Sequence, residues 1–446
     1  MKLVKSLVAL VAAAISLAAG ASFAQKRPPP DERYKPTDVP LRLWGDDQAP
    51  MAFDQYLEVA RGAIARSRWK IEGESDAQRA ERVRLTAPAE WPAPAGRQTN
   101  CLPDNTEGVL LMHGLTDSPF LMRDLGDYFA ARPGCFVVRS ILLPGHGTAP
   151  GDLGRASYED WAAAARFGIN SFRGVARRVH LVGFSTGGAL SIYWAYKQAE
   201  LEVPIASLML FSPAIRTTGF FLRLKVLPHL LGGVVRGTGL EWSDLHADQD
   251  FAKYESFSIA AGYQIYRLDE EIERLAQEPL RMPVFMALSR SDSTINAVDS
   301  IDFFLRKTSP DSRMMLVAPT DKDADVARAL RDGRVQYFPA AIEKEGVVDF
   351  AHTAFVVRPD NAHYGRHGDY ANCTHYDNDK DRAKYCACIT PSMLQKSCGT
   401  PASKEKVVYG ENDKESIRKY TLRRLTFNPY FSEMTTKLDS FLDGVR

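Results

Sequence analysis

Short runs of continuous apolar residues alternate along this chain with longer stretches of helical periodicity. Residues 108–112, 135–139, 179–182, 206–211, 283–288 and 314–317 each read as a buried strand, a few apolar residues bounded by turn signals. Between them, 119–130, 157–172, 189–195 and 297–306 read as helices, and Ser157-Tyr158-Glu159-Asp160 supplies a capping signal for the second. Strands that are apolar throughout and separated by helices predict a mostly parallel sheet with helices on both faces. A final helix is expected near 430–442. Upstream, 51–70 is helix-like, 82–85 has the pattern of a strand, and the Pro-rich stretches around 26–50 and 87–92 read as an extended lead-in.

Two segments break the rhythm. No strand is legible between 213 and 282, where Phe220-Phe221-Leu222-Arg223-Leu224-Lys225-Val226-Leu227 and Leu230-Leu231 form an apolar, partly helical insertion suited to capping the carboxyl edge of a sheet. The second, about 359–415, is polar and carries four of the six cysteines, and reads as a disulfide-stapled surface excursion. The expected organisation is therefore a leader over 1–24, an extension over 25–100, a first core half over 101–212, a cap over 213–282, and a second core half over 283–446 holding the Cys-rich insertion.

The leader reading rests on Lys2 and Lys5, an apolar stretch over 7–19 and the small residues Ser22 and Ala24, the pattern of a secretory signal. The apolar run is shorter than the ~20 residues a spanning helix needs, which disfavours an uncleaved anchor. Export, to the periplasm or beyond, favours disulfides among Cys101, Cys135, Cys373, Cys386, Cys388 and Cys398. Cys101 and Cys135 each precede a strand and are expected to pair, leaving the other four to cross-link the insertion. A zinc site at Cys373-x-His375 and Cys386-x-Cys388 with Cys398 is the competing reading, but the spacing fits no standard finger. With 56 basic against 55 acidic side chains, the charge balance excludes a polyanionic partner such as nucleic acid.

The chemistry centres on Gly183-Phe184-Ser185-Thr186-Gly187-Gly188, which ends a strand and opens a helix. A serine on such a sharp turn needs glycine two positions to either side so that strand and helix can approach closely. Serine needs an imidazole base oriented by a carboxylate, in the chain order Ser, acid, His. Asp292 follows a strand end and is the candidate acid; Asp299 is the runner-up but falls inside the next helix. Of the later histidines, His352 is favoured because apolar residues flank it after a β-like run, with His363 the rival; His363 and His367 sit in polar, turn-rich sequence and are expected to be solvated. The N–H groups of Leu115, after His113-Gly114, and of Thr186 are the expected oxyanion donors. His113, and His146 in Pro144-Gly145-His146-Gly147, are read as holding loop backbone.

His113-Gly114 with Ser118-Pro119, Leu143-Pro144-Gly145-His146-Gly147, Gly183-Phe184-Ser185-Thr186-Gly187-Gly188 and Ser291-Asp292 together resemble the α/β-hydrolase superfamily, closest to its monoacylglycerol lipase, lysophospholipase and bacterial carboxylesterase branch. The resemblance covers about 107–306 and, more loosely, the chain to His352. It implies an α/β-hydrolase fold with a helical cap, and hydrolysis of carboxylic esters through an acyl-enzyme on Ser185 with Asp292 and His352, without metal or organic cofactor. The expected substrate is a small-molecule or lipid ester, with room for transient contact with a lipid surface. An acyltransferase or peptidase could use the same residues, and an exported binding protein could keep the same fold. The long N-terminal lead, the stretch between Val317 and His352, and the Cys-rich segment depart from the compact members.

Overall fold

The computed structural model describes residues 34–46, 49–67, 74–91, 101–216, 242–244, 250–376 and 407–445. The leader, the apolar cap stretch Phe220 to Leu231, and Cys386, Cys388 and Cys398 lie outside the described residues.

Alternation within each strand organises the molecule. The sheet strands are β1 (Glu90–Trp91), β2 (Glu107–Met112), β3 (Phe136–Ile141), β4 (Arg178–Phe184), β5 (Ile205–Phe211), β6 (Val284–Ser289), β7 (Arg313–Ala318) and β8 (Val335–Pro339). Leu110, Met112, Leu208, Leu210, Met286 and Leu288 face one hydrophobic core, while their neighbours Val109, Leu111, Met209, Phe211, Phe285 and Ala287 face the other. A strand apolar at every position is what a sheet covered on both sides requires. The order is β8-β7-β6-β5-β4-β2-β3-β1. All neighbours are parallel except β1, which runs antiparallel to β3. After β3 the chain crosses back over β2 to β4, so the carboxyl ends of β2 and β4 flank the point where the winding reverses, the usual ligand crevice of such sheets.

The longer helices are α1 (Phe53–Ser67), α2 (Asp76–Thr86), α3 (Arg123–Ala131), α4 (Tyr158–Asn170), α5 (Thr186–Tyr196), α6 (Ile259–Leu275), α7 (Ala297–Lys307), α8 (Ala324–Leu330) and α9 (Phe431–Gly444). The capping box expected for α4 is present, Ser157 and Asp160 satisfying each other's backbone N–H. Among the described residues, no helix is long and apolar enough to cross a membrane. The Cys101–Cys135 disulfide forms, with the Cα atoms 5.5 Å apart, beside the starts of β2 and β3.

Several expectations fail for definable reasons. Residues 82–85 are helical, inside α2, whose Ser75–Gln78 capping box starts a helix that a four-residue window hides. The Pro-rich stretch near 90 contributes the edge strand β1, fastened by Glu90 to Arg139 at 2.6 Å. By contrast, the helix expected over 51–70 is present as α1, and its Tyr56, with Trp44 of the lead-in, is buried in the main core, the Tyr56 hydroxyl accepting the Leu142 N–H at 2.9 Å. The β-like run before His352 is reduced to bridges at Val347, which pairs with Ile342 and with Tyr409, and the full strand preceding it is β8, whose half-exposed pattern belongs to a sheet edge. The described part of the Cys-rich stretch is no surface excursion. Tyr364, Tyr370, Asn372, Cys373 and Glu411 are all buried, Cys373 is disulfide-bonded, and a parallel ribbon of β9 (Val407–Gly410) and β10 (Thr421–Arg424) packs beside it.

Candidate active site

Ser185 follows β4 directly and occupies φ 51°, ψ −112°, a conformation an L-residue reaches only under strain. The turn is pinned on three sides. The Ser185 N–H donates to Phe211 O at 3.0 Å, and the N–H groups of Ala189 and Ala214 donate to Ser185 O at 3.1 and 2.9 Å. A Cβ on Gly183 would lie 2.3 Å from Gly187 O, and one on Gly187 2.1 Å from Met112 O, so both positions exclude any side chain. Thr116 and Ser212, at the ends of β2 and β5, also have positive φ, concentrating backbone strain along this edge of the sheet.

Asp292 sits just past β6. Its Oδ1 accepts the N–H groups of Thr294 at 2.8 Å and Ile295 at 3.0 Å, and its Oδ2 accepts the Nδ1–H of His352 at 2.6 Å. With Nδ1 engaged, Nε2 is the ring atom left for proton transfer. His352 opens a short 3-10 turn, and its loop is tied to the end of β6 by the Ser289 hydroxyl, which donates to Phe350 O at 2.5 Å. Asp299 lies on α7 and accepts from the Asn296 side chain at 2.8 Å, part of that helix's N-terminal cap.

The other histidines near this edge are chemically committed. His113 Nδ1–H donates to Gly114 O at 2.8 Å while Nε2 accepts the Leu143 N–H at 3.1 Å. His146 Nε2 accepts the Thr116 N–H at 3.1 Å and its Nδ1–H points at the carbonyls of Leu143 and Pro144. Burial pushes the His146 imidazole down to about 4. Both rings thus hold loop backbone, as expected. His363 is not solvated as its polar neighbours imply. It is buried, and its ring nitrogens donate to Asp250 at 3.0 Å and Asp369 at 2.5 Å. Burial opposes its charge, but the two carboxylates outweigh it and lift the imidazolium to about 9, so it has no lone pair to act as a base.

Ser185, Thr186, Leu115 and His352 line one cleft of about 160 Å³. Its apolar wall includes Phe184, Ala214, Phe257, Ile265 and Ile295. A larger cavity, about 370 Å³, lies at the opposite end of the sheet between Pro283, Arg313 and Phe441, and holds no serine–histidine pair. The loop over 113–118 is braced from the segment preceding α6: Tyr254 N–H donates to Thr116 O at 2.8 Å, and the Ser118 hydroxyl to Ala252 O at 2.6 Å. Among the described residues, no cluster of His, Cys, Asp and Glu could hold a metal ion.

Sequence reasoning missed Asp117, Lys253, Thr294, Thr353 and Arg424, which share the cleft. Asp117 lies within the motif already singled out, yet only the fold shows that it is buried, which pushes its carboxyl up to about 6 against the pull of Lys253. Glu411 and Arg424 carry no local motif. Their relation to the site exists only through contacts distant in sequence.

A family model described as alpha/beta hydrolase family matches residues 109–371. The thermostable monoacylglycerol lipase of Bacillus sp. (strain H-257) is 32% identical over 112 residues, 25% of this chain, so that the match spans 44% of that protein's length. Similar solved structures include the monoacylglycerol lipase of Paleococcus ferrophilus, 20% identical with a TM-score of 0.38, covering 55% of this chain and 97% of the other. Another is a soluble variant of the monoglyceride lipase of Saccharomyces cerevisiae, 14% identical with a TM-score of 0.40, covering 56% and 89%.

Proposed function

The chain belongs to the alpha/beta hydrolase family, and from that footing we propose that it is an exported, esterase- or lipase-like serine hydrolase that cleaves carboxylic esters. In this reading the Ser185 hydroxyl attacks the ester carbonyl as His352 Nε2 takes its proton. Asp292 fixes the tautomer by holding Nδ1–H and stabilises the imidazolium. The N–H groups of Leu115 and Thr186 receive the developing oxyanion, an effect worth about 10²–10³ in rate per donor. The imidazolium then protonates the leaving alcohol, and the same base activates water to release the acyl group.

One observation carries the proposal: Ser185, on its strained turn, lines the same cleft as His352, the ring whose Nδ1 is held by a fully covered aspartate. The apolar wall of Phe257, Ile265 and Ile295 suits an acyl chain. The name of the Bacillus relative points to monoacylglycerol-like esters as the first substrates to try. In the same reading 213–282 forms the cap over the acyl pocket, and 283–446 completes the core. Export is supported by the pattern of 1–24 and by the Cys101–Cys135 disulfide.

A series of acyl esters of increasing chain length, assayed with wild type and Ser185→Ala in parallel, tests the chemistry and the acyl preference together. Hydrolysis abolished in the variant is expected. Equal turnover by both proteins contradicts the reading, and ester products formed on adding glycerol would redirect it toward acyl transfer.

A further inference from the structure

Glu411 is fully buried, yet belongs to neither loop that carries the candidate acid and base. It follows β9 directly, near the end of the Cys-rich segment, and its Oε2 reaches both loops. It accepts the backbone N–H of His352 at 3.1 Å and that of Ser293, next to Asp292, at 3.4 Å. Its Oε1 accepts the Asn412 N–H at 2.8 Å and Arg424 Nε–H at 2.9 Å. Arg424, at the end of β10, also donates from Nη2 to the Thr294 hydroxyl at 3.0 Å. Thr294 is one of the two residues whose N–H holds Asp292 Oδ1. The residue after His352, Thr353, donates its hydroxyl to the carbonyl of Leu425, the residue after Arg424, at 2.8 Å.

A buried carboxylate is retained only when paired and hydrogen-bonded, and here every acceptor direction is used on the two loops, on Asn412 or on the compensating guanidinium. Sheet packing alone would not require a charge at this point, because the ends of β6 and β8 are already set by their neighbours. What the pair adds is a fixed distance between the Asp292 loop and the His352 loop, together with a dipole beside the imidazole.

We propose that Glu411 and Arg424 are positioning residues that set the Asp292–His352 geometry and tune the charge of the His352 ring, so that the C-terminal ribbon is part of the active-site framework. This deepens the serine hydrolase reading and rests on it. The charged and titratable groups facing His352 are Asp292 at its Nδ1, Glu411 at its backbone N–H, and Asp117, Lys253 and Arg424 around the cleft. Asp349 lies three residues before it on the same loop.

The pair makes a signed prediction. Glu411→Gln keeps an oxygen for both N–H groups but leaves the Arg424 cation uncompensated, so the His352 imidazolium is disfavoured. Arg424→Met takes away the cation nearest the Glu411 carboxylate, which keeps its backbone N–H donors, and loss of a neighbouring positive charge favours the imidazolium. The experiment follows the His352 Cε1–H resonance against pH in each single variant and in the double variant, alongside kcat and KM for a short acyl ester. Expected are shifts of opposite sign in the singles, kcat lowered about tenfold or more with KM nearly unchanged, and a double variant whose titration matches wild type.

Shifts of the same sign, or singles whose titration and kcat match wild type, overturn the proposal. If a single variant does not fold, the charge-neutral double variant decides: a displaced His352 titration there is equally fatal. Should the wild type hydrolyse no ester, the serine hydrolase reading fails by itself, while the resonance still reports whether Glu411 and Arg424 govern His352.

Discussion

Asp292 and His352, 60 residues apart in the chain, meet at the carboxyl edge of the sheet with Oδ2 and Nδ1 2.6 Å apart. The other oxygen of Asp292 is fully engaged by two backbone N–H groups, so the carboxylate cannot rotate away from the ring. A carboxylate held this way selects one imidazole tautomer and leaves Nε2 for proton transfer.

Asp292→Asn keeps the size of the side chain but offers an amide where the ring needs an acceptor. Ester hydrolysis near neutral pH is expected to fall about 10⁴-fold, with circular dichroism and melting temperature close to wild type. Activity within tenfold of wild type would show that another group orients the base.

Asp117 gives a stability prediction of opposite sign to the usual carboxylate. Burial raises its carboxyl from the ordinary range to about 6, so between about pH 4 and 6 the folded state holds a proton that the unfolded state releases, and stability falls as pH rises through that window. Asp117→Asn removes the cost of burying the charge. It is expected to stabilise the protein at pH 7.5 by up to about 3 kcal/mol and to have little effect at pH 4, as read from urea unfolding at the two pH values. A variant less stable at pH 7.5 than at pH 4, relative to wild type, would mean the charge is needed in place.

How far the sequence carried depends on distance along the chain. Ser185 and its glycines, the His113-Gly114 loop and the strands of the central sheet announce themselves within windows of fewer than ten residues, because strand ends and tight turns are local events. His363 does not: its neighbours are polar, and its burial rests on partners distant in the chain, Asp250, 113 residues upstream, and the rings of Phe120 and Phe251. Glu411 is likewise silent in sequence, since the groups it joins, His352 and Ser293, lie 59 and 118 residues away. The two strands of the central sheet that escaped notice, β1 and β8, are its edges, where one-sided burial replaces the continuous apolar run that marks the interior strands.

His363, held between Asp250 and Asp369, makes stability depend on alkaline pH. Its imidazolium is raised from the ordinary range near 6.5 to about 9, so its contribution is complete below pH 6.5 and lost as pH climbs through 9. His363→Gln is expected to lower the melting temperature by several degrees at pH 6.5, and the gap to wild type should close by pH 10. A gap independent of pH would assign the ring a packing role alone. Because Asp250 opens the segment bracing Thr116 and Ser118, wild-type ester hydrolysis should weaken over the same alkaline range.

The most direct test of the account is the fate of the Ser185 hydroxyl in the presence of an active-serine phosphonate, followed by peptide mass spectrometry of the modified protein. One adduct per chain is expected, on the peptide containing Ser185, absent from Ser185→Ala and strongly slowed in His352→Ala. Wild-type protein left unmodified under conditions that label known serine esterases, or an adduct placed on any other residue, would contradict it.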